Sequence, residues 1–125
     1  MPAYRRNRVA GGCYFFTLVT LDRQPWLCDA DGRAALRDAI EQVRRERPFR
    51  IEAWVLLPDH LHCIWTLPDG DADYSTRWRL VKSKVSLHLD STALWQPRFW
   101  EHTVRDERDL EVPPADANLV DRHVA

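Results

Sequence analysis

The spacing of apolar positions divides the chain into six predicted elements. Continuous aromatic and β-branched residues over 13–21 predict a first strand, and apolar positions at helical spacing from Ala34 predict a helix that Pro48 ends. Two more strands, a second helix and a last strand are predicted over 49–57, from 60 onward, over 74–89 and over 94–106. This order predicts an α+β, ferredoxin-like split β-α-β sandwich, an antiparallel sheet with two helices on one face.

The third predicted strand carries two histidines two positions apart. Successive side chains of a strand alternate between faces, so His60 and His62 leave the same face, roughly 7 Å apart along the backbone. Leu61, Cys63 and Trp65 leave the other face, which predicts a core face and an open, wet histidine face. Imidazoles at this spacing can converge on one cation, although two polar residues on a half-buried strand give the same pattern.

The second predicted strand is expected to alternate in the same way. One of its faces is expected to carry Ile51, Ala53, Val55 and Leu57.

Composition places the chain among single-domain globular proteins. The 125 residues are 45% hydrophobic, and 18 basic against 19 acidic residues give a formal net charge of −1, so any attraction to nucleic acid must be local. The three cysteines argue against a disulfide framework, and neither a membrane span nor a signal peptide is evident. We therefore expect a cytoplasmic protein with one domain over residues 1–110 and an irregular tail over 111–125.

Positive charge is concentrated in two places. An arm over residues 1–10 carries Arg5, Arg6 and Arg8 without an acid, and the second predicted helix has no acid between Ser75 and Leu89. Each is either a solvated surface or a phosphate-binding surface.

Three separated motifs resemble one family, the REP-associated tyrosine transposases. They read Gly11-Gly12-x-Tyr14-Phe15-Phe16-Thr17, Leu57-Pro58-Asp59-His60-Leu61-His62-x-Ile64-Trp65 and Trp95-Gln96-x-Arg98-Phe99-Trp100-Glu101-His102-x-x-Arg105-Asp106. The resemblance runs from about Tyr4 to Asp109, most of the chain.

The resemblance implies chemistry on single-stranded or hairpin DNA. It implies a divalent metal, Mg²⁺ or Mn²⁺, at His60 and His62, and a tyrosine that cuts and rejoins DNA through a 5′-phosphotyrosine bond. We expect a monomer or homodimer. The side chains expected to contact DNA are Arg5, Arg6, Arg8, Tyr14, Arg77, Arg79, Lys82, Lys84, Arg98 and His102.

The sequence departs from the family pattern after Asp109. The family continues into a helix that carries the nucleophilic tyrosine, whereas residues 110–125 contain paired prolines and no tyrosine. The three tyrosines, Tyr4, Tyr14 and Tyr74, do not match the nucleophile position. We therefore expect a frameshifted or truncated end, and no phosphotyrosine bond made by this polypeptide.

Two other functions are compatible with parts of this pattern. A histidine-triad nucleotide hydrolase needs a third alternating histidine, and that position is Ile64. A non-catalytic module that binds hairpin DNA keeps the fold without strand transfer, and the missing tyrosine favours it. Cleavage of hairpin DNA distinguishes this module from the enzyme.

Overall fold

The computed structural model describes residues 11–97, 99–104 and 122–123, with backbone alone at Trp100, 102–104 and 122–123. The helices and strands follow the predicted order, with a short additional strand near the end. Their bounds are β1 Cys13–Val19, α1 Ala30–Glu46, β2 Arg50–Leu56, β3 His60–Thr66, α2 Tyr74–Leu89, β4 Trp100–Val104 and β5 Arg122–His123. Within this described part, neither helix is long and apolar enough to cross a bilayer.

The strands form one sheet in the order β4-β1-β3-β2-β5, and every neighbouring pair is antiparallel. The first four strands and the two helices confirm the predicted ferredoxin-like α+β sandwich. The fifth strand was not expected, because residues 111–125 were predicted to be irregular. Arg122 and His123 pair with Val55 and Trp54 at the β2 edge, while residues 105–121 lie outside the described part, so the domain boundary stays a prediction.

The last strand begins later than the sequence suggested. Residues 94–96 run beside the end of β1 without forming a strand, and Thr20 and Trp95 make an isolated bridge there. The Gln96 N–H donates to the Val19 carbonyl at 3.0 Å. Pro97 follows and has no N–H to continue the ladder, so regular pairing resumes only at Trp100.

A bulge in β2 contradicts the predicted alternation of that strand. Ile51 lies opposite Trp65, but Ala53 lies opposite Ile64, so the register shifts around Glu52. One extra residue moves the following side chains to the other face. Consequently Ile51 shares the Trp65 face, whereas Ala53 and Val55 share the face that carries Ile64 and His62.

An aromatic core fixes the face on which the helices pack. Trp65 of β3 is 0% exposed and stacks on Trp78 of α2, with ring centroids 4.2 Å apart. The ring centroid of Phe49 lies 4.1 Å from that of Trp65, and the ring centroid of Phe16 of β1 lies 4.9 Å from it. Leu61 and Cys63 are buried in the same cluster, which confirms that the apolar face of β3 is the core face.

Arg77 of α2 is part of this core and not of the helix surface. Its side chain is 2% exposed, and its guanidinium donates to the carbonyls of Arg47, Pro48 and Asp73 and to both carboxylate oxygens of Asp71. The Arg77 hydrogen bond, with the Asp73 N–H, lowers the pKa of the Asp71 carboxyl. This stabilisation is therefore present at neutral pH and is lost as the pH falls through the lowered pKa.

We predict that Arg77→Met lowers the free energy of unfolding by about 3 kcal/mol, because it leaves three carbonyls and one carboxylate without their donor. Urea unfolding at neutral pH measures this change. The control is Arg79→Met on the exposed side of the same helix, which should change stability by less than about 0.5 kcal/mol. Equal effects of the two substitutions would show that the buried guanidinium contributes nothing specific.

Candidate functional site

The two histidines of β3 converge on the sheet face opposite the helices. Their ring centroids are 5.1 Å apart and the ring planes are inclined by 82°. The histidines are less exposed to solvent than predicted: His62 is 6% exposed and the side chain of His60 is 15% exposed. Phe15 of β1 contributes to this cover, since its ring lies 5.4 Å from that of His62.

Each histidine is held at Nδ1 by a different partner. His62 Nδ1 lies 2.8 Å from Thr17 Oγ1, directly across the β1–β3 ladder. His60 Nδ1 lies 2.8 Å from Asp59 Oδ1. A hydrogen bond to one ring nitrogen fixes the orientation of an imidazole and directs the other nitrogen to a metal. Nε2 is therefore the atom of each histidine that would ligate a cation.

This donor set fits part of a divalent cation site. Two neighbouring imidazoles with oriented rings suit a first-row divalent ion, and oxygen ligands commonly complete such shells. Across residues 11–97, 99–104 and 122–123, no group of three or more His, Cys, Asp or Glu side chains is placed to hold a metal. The pair would thus supply two ligands of such a site, and further ligands would have to come from other groups.

The turn before β3 is tied to the connection that follows β1. The Asp59 carbonyl accepts from both the N–H and the hydroxyl of Thr20, at 3.0 and 3.1 Å. The Pro58 carbonyl accepts from the Leu27 N–H at 3.0 Å. These bonds fix the backbone from which the Asp59 and His60 side chains project.

Asp59 also accepts a hydrogen bond from Arg23. Arg23 Nε lies 2.8 Å from Asp59 Oδ2, and the Arg23 side chain is 60% exposed. Burial would raise the pKa of the Asp59 carboxyl, but hydrogen bonds and charge from His60 and Arg23 lower it overall. Asp22 and Arg23 have φ angles of 52° and 53°, in the left-handed region, which costs about 1 kcal/mol or more for each such residue.

The burial of two residues contradicts the prediction that they contact DNA. Tyr14 is 0% exposed and packs in the core, with its ring 4.8 Å from that of Tyr74. It lies opposite Trp65 in the ladder and so on the core face of β1. Arg77 is buried in the contacts described above. Neither side chain presents a surface to a nucleic acid.

The remaining basic side chains of α2 lie across the sheet from the histidines, because α2 packs on the core face. Arg79 is exposed, and Lys84 is half-buried. Lys82 lies over the rings of Trp95 and Phe99, with Nζ 6.0 and 5.5 Å from their centroids. Lys82 therefore stands near the segment that enters β4, at one edge of the sheet.

Other expected contacts are described only partly or lie outside the described residues. The register places His102 opposite Phe15, and Phe15 lies opposite Ile64. Predictions for these four residues fall outside the described part: Arg5, Arg6, Arg8 and Arg98. The DNA-contact role of all five residues stays a prediction.

Sequence reasoning missed three residues that contact the histidines or their partner. Asp59 directly precedes His60, so the sequence could have identified its carboxylate as a partner of that histidine. Its position in the turn before the strand gave it a purely structural interpretation. Thr17 becomes a partner only through the β1–β3 register. Arg23 reaches Asp59 across 36 positions of sequence, and no local pattern connects the two.

Two proteins of known family are similar to this chain in sequence. No protein-family model matches the chain. The REP-associated tyrosine transposase of Escherichia coli (strain K12) is 48% identical over 109 residues, which cover 87% of this chain and 66% of the relative. A protein of Haemophilus influenzae (strain ATCC 51907 / DSM 11121 / KW20 / Rd), provisionally named as a REP-associated tyrosine transposase, is 35% identical over 125 residues, covering 88% of this chain and 70% of that protein.

Solved structures agree with the sequence comparison. A REP-associated tyrosine transposase bound to a REP hairpin superposes with a TM-score of 0.79 at 47% identity, over 87% of this chain and 66% of that one. A protein of Deinococcus radiodurans R1, provisionally described as a transposase, has a TM-score of 0.62 at 15% identity over 86% of this chain and 89% of that one, and supports the fold alone. The chain spans 66% of the Escherichia coli relative. It belongs to the family of REP-associated tyrosine transposases.

Proposed function

We propose that this protein binds single-stranded or hairpin DNA and engages a phosphate through a divalent cation, Mg²⁺ or Mn²⁺, held by His60 and His62. The observation that carries the proposal is the convergence of the two rings at 5.1 Å, each held at Nδ1. The related transposase that is bound to a REP hairpin supports hairpin DNA as the ligand.

The residues of the site would bind and orient the cation. His60 and His62 would ligate it through Nε2, while Asp59 and Thr17 hold the Nδ1 atoms. When bound, the cation supplies a positive charge that polarises a non-bridging phosphate oxygen. The ring of Phe15 lies beside His62, with 5.4 Å between the centroids, and covers part of that histidine.

Strand transfer would also require a tyrosine nucleophile at the histidine face. The positions of the described tyrosines favour DNA binding without strand transfer. Among the described residues, the tyrosines are Tyr14 and Tyr74, both 0% exposed and packed together on the core face. The histidines leave the opposite face, so neither phenol is delivered to a phosphate at His60 and His62. Tyr4 lies outside the described part. We infer that this polypeptide binds hairpin DNA without forming a phosphotyrosine bond.

We predict that Mn²⁺ binds weakly to the protein and that His60→Ala/His62→Ala lowers its affinity by about tenfold or more, because both imidazole ligands are removed. Titration followed by electron paramagnetic resonance of free Mn²⁺ measures the affinity. His88→Ala, an exposed histidine of α2, is the matched control and should bind as the parent does. Equal Mn²⁺ affinity in all three proteins would show that His60 and His62 do not bind the metal.

We predict that a hairpin oligonucleotide binds more weakly as salt rises, since the contacts are to phosphates. Fluorescence anisotropy at several salt concentrations measures the affinity and its salt dependence. Arg79→Ala/Lys82→Ala/Lys84→Ala should weaken binding and reduce the slope of log affinity against log salt.

The matched control for this surface is Arg37→Ala/Arg44→Ala/Arg45→Ala on α1, which removes the same charge from the other helix. If both triple variants bind alike, the α2 surface is not where DNA docks. Because α2 and the histidines lie on opposite sides of the sheet, DNA that touches both must pass around the sheet, and Lys82 beside Trp95 is a basic side chain near the β4 edge.

A further inference from the structure

A chain of two hydrogen bonds links an exposed arginine to the histidine pair. Arg23 Nε donates to Asp59 Oδ2 at 2.8 Å, and Asp59 Oδ1 lies 2.8 Å from His60 Nδ1. The two oxygens of one carboxylate thus contact two different residues. An ionised carboxylate only accepts hydrogen bonds, so His60 Nδ1 must carry the proton in this contact.

The Arg23–Asp59 contact is held from both backbones. Thr20 donates through its N–H and its hydroxyl to the Asp59 carbonyl, and its hydroxyl also lies 2.9 Å from the Gln24 carbonyl. Thr20 and Gln24 flank the short turn Leu21–Arg23. The turn that carries Arg23 and the turn that carries Asp59 are therefore fixed to each other.

Arg23 gains little from burial at this position. Its side chain is 60% exposed, and its backbone adopts a left-handed conformation that non-glycine residues disfavour. An exposed ion pair alone contributes little to folding. The strained backbone and the aimed Nε together favour a role at the site over a role in stability.

We infer that Arg23 is a positioning residue, which acts through Asp59 to hold the His60 ring in the orientation and tautomer that direct Nε2 to a cation. This inference rests on the proposed function for its purpose. Arg23 itself does not ligate the ion. Without Arg23 the carboxylate is free to rotate toward solvent, and His60 then samples both tautomers and other ring orientations.

The first test is made on the protein without metal. Long-range ¹H–¹⁵N spectra of the histidine rings report which nitrogen of His60 carries the proton. The parent should show an Nδ1–H imidazole at a pH where the ring is neutral. Arg23→Met and Asp59→Ala should shift His60 toward the Nε2–H form, and Arg23→Lys, which keeps a cationic donor, should restore part of the parent spectrum.

The second test titrates Mn²⁺ alone into the same proteins. Arg23→Met should lower the affinity by about tenfold, as loss of a group that orients a ligand commonly does, with Arg23→Lys between it and the parent. The matched control is Arg50→Met, which removes a 75% exposed arginine from its 2.8 Å pair with Glu52. Arg50 lies opposite Thr66, at the end of β3 away from His60, so this variant should match the parent in both tests.

The outcomes separate this inference from the proposed function. If no protein binds Mn²⁺ but Arg23→Met changes the His60 tautomer, the positioning role stands and the metal site fails. If Arg23→Met leaves the His60 spectrum as it is in Arg50→Met, Arg23 does not position the ring and the inference is overturned. If Arg23→Met alters the His60 spectrum but binds Mn²⁺ as tightly as Arg50→Met does, the link between ring position and cation binding is overturned.

Discussion

The stacking of Trp65 on Trp78 determines which face of β3 carries the histidines. Trp65 is 0% exposed, and its ring lies 4.2 Å from that of Trp78 and 4.1 Å from that of Phe49. Because strand side chains alternate, this packing sends His60 and His62 to the face without helices. A register slip of one residue would bury the histidines under α2 and expose the tryptophan.

The same alternation constrains the neighbouring strands and therefore the tyrosines. Tyr14 lies opposite Trp65 and packs on Tyr74, whereas Thr17 lies opposite His62. A core that needs Tyr14 for packing removes its hydroxyl from the histidine face. Family membership establishes the fold, but it does not establish which residues of this chain act on DNA.

Much of the fold was predictable because local patterns determine it. The period of two in β3 and the helical spacing in α1 each identify one element, and their order defines the sandwich. The bulge at Glu52 and the late start of β4 depend on how each strand pairs with its neighbour in the sheet, which the pattern within one strand does not record. The residues around the histidines divide in the same way: Asp59 is adjacent in sequence, whereas the fold brings Thr17 to His62 and Arg23 to Asp59.

The buried residues also show why Arg77 was assigned incorrectly to the DNA-contacting surface. The run without acids in α2 predicted one charged surface, but Arg77 sits where five acceptors converge and Trp78 faces the sheet. Charge counted along a helix does not reveal which cation satisfies buried carbonyls. Exposure separates Arg79 from Arg77, although the two are only two positions apart.

The central claim is the proposal that this polypeptide binds hairpin DNA at the histidine pair without forming a phosphotyrosine bond. The most direct measurement incubates the protein with Mn²⁺ and an end-labelled hairpin oligonucleotide that carries a flanking single strand. Native and denaturing gels of the same mixture are then compared, with the Escherichia coli relative run alongside. The account predicts a shifted band on the native gel, and intact, unattached DNA on the denaturing gel. A cleaved strand attached covalently to this protein would contradict it and would assign the nucleophile to Tyr4, Tyr14 or Tyr74.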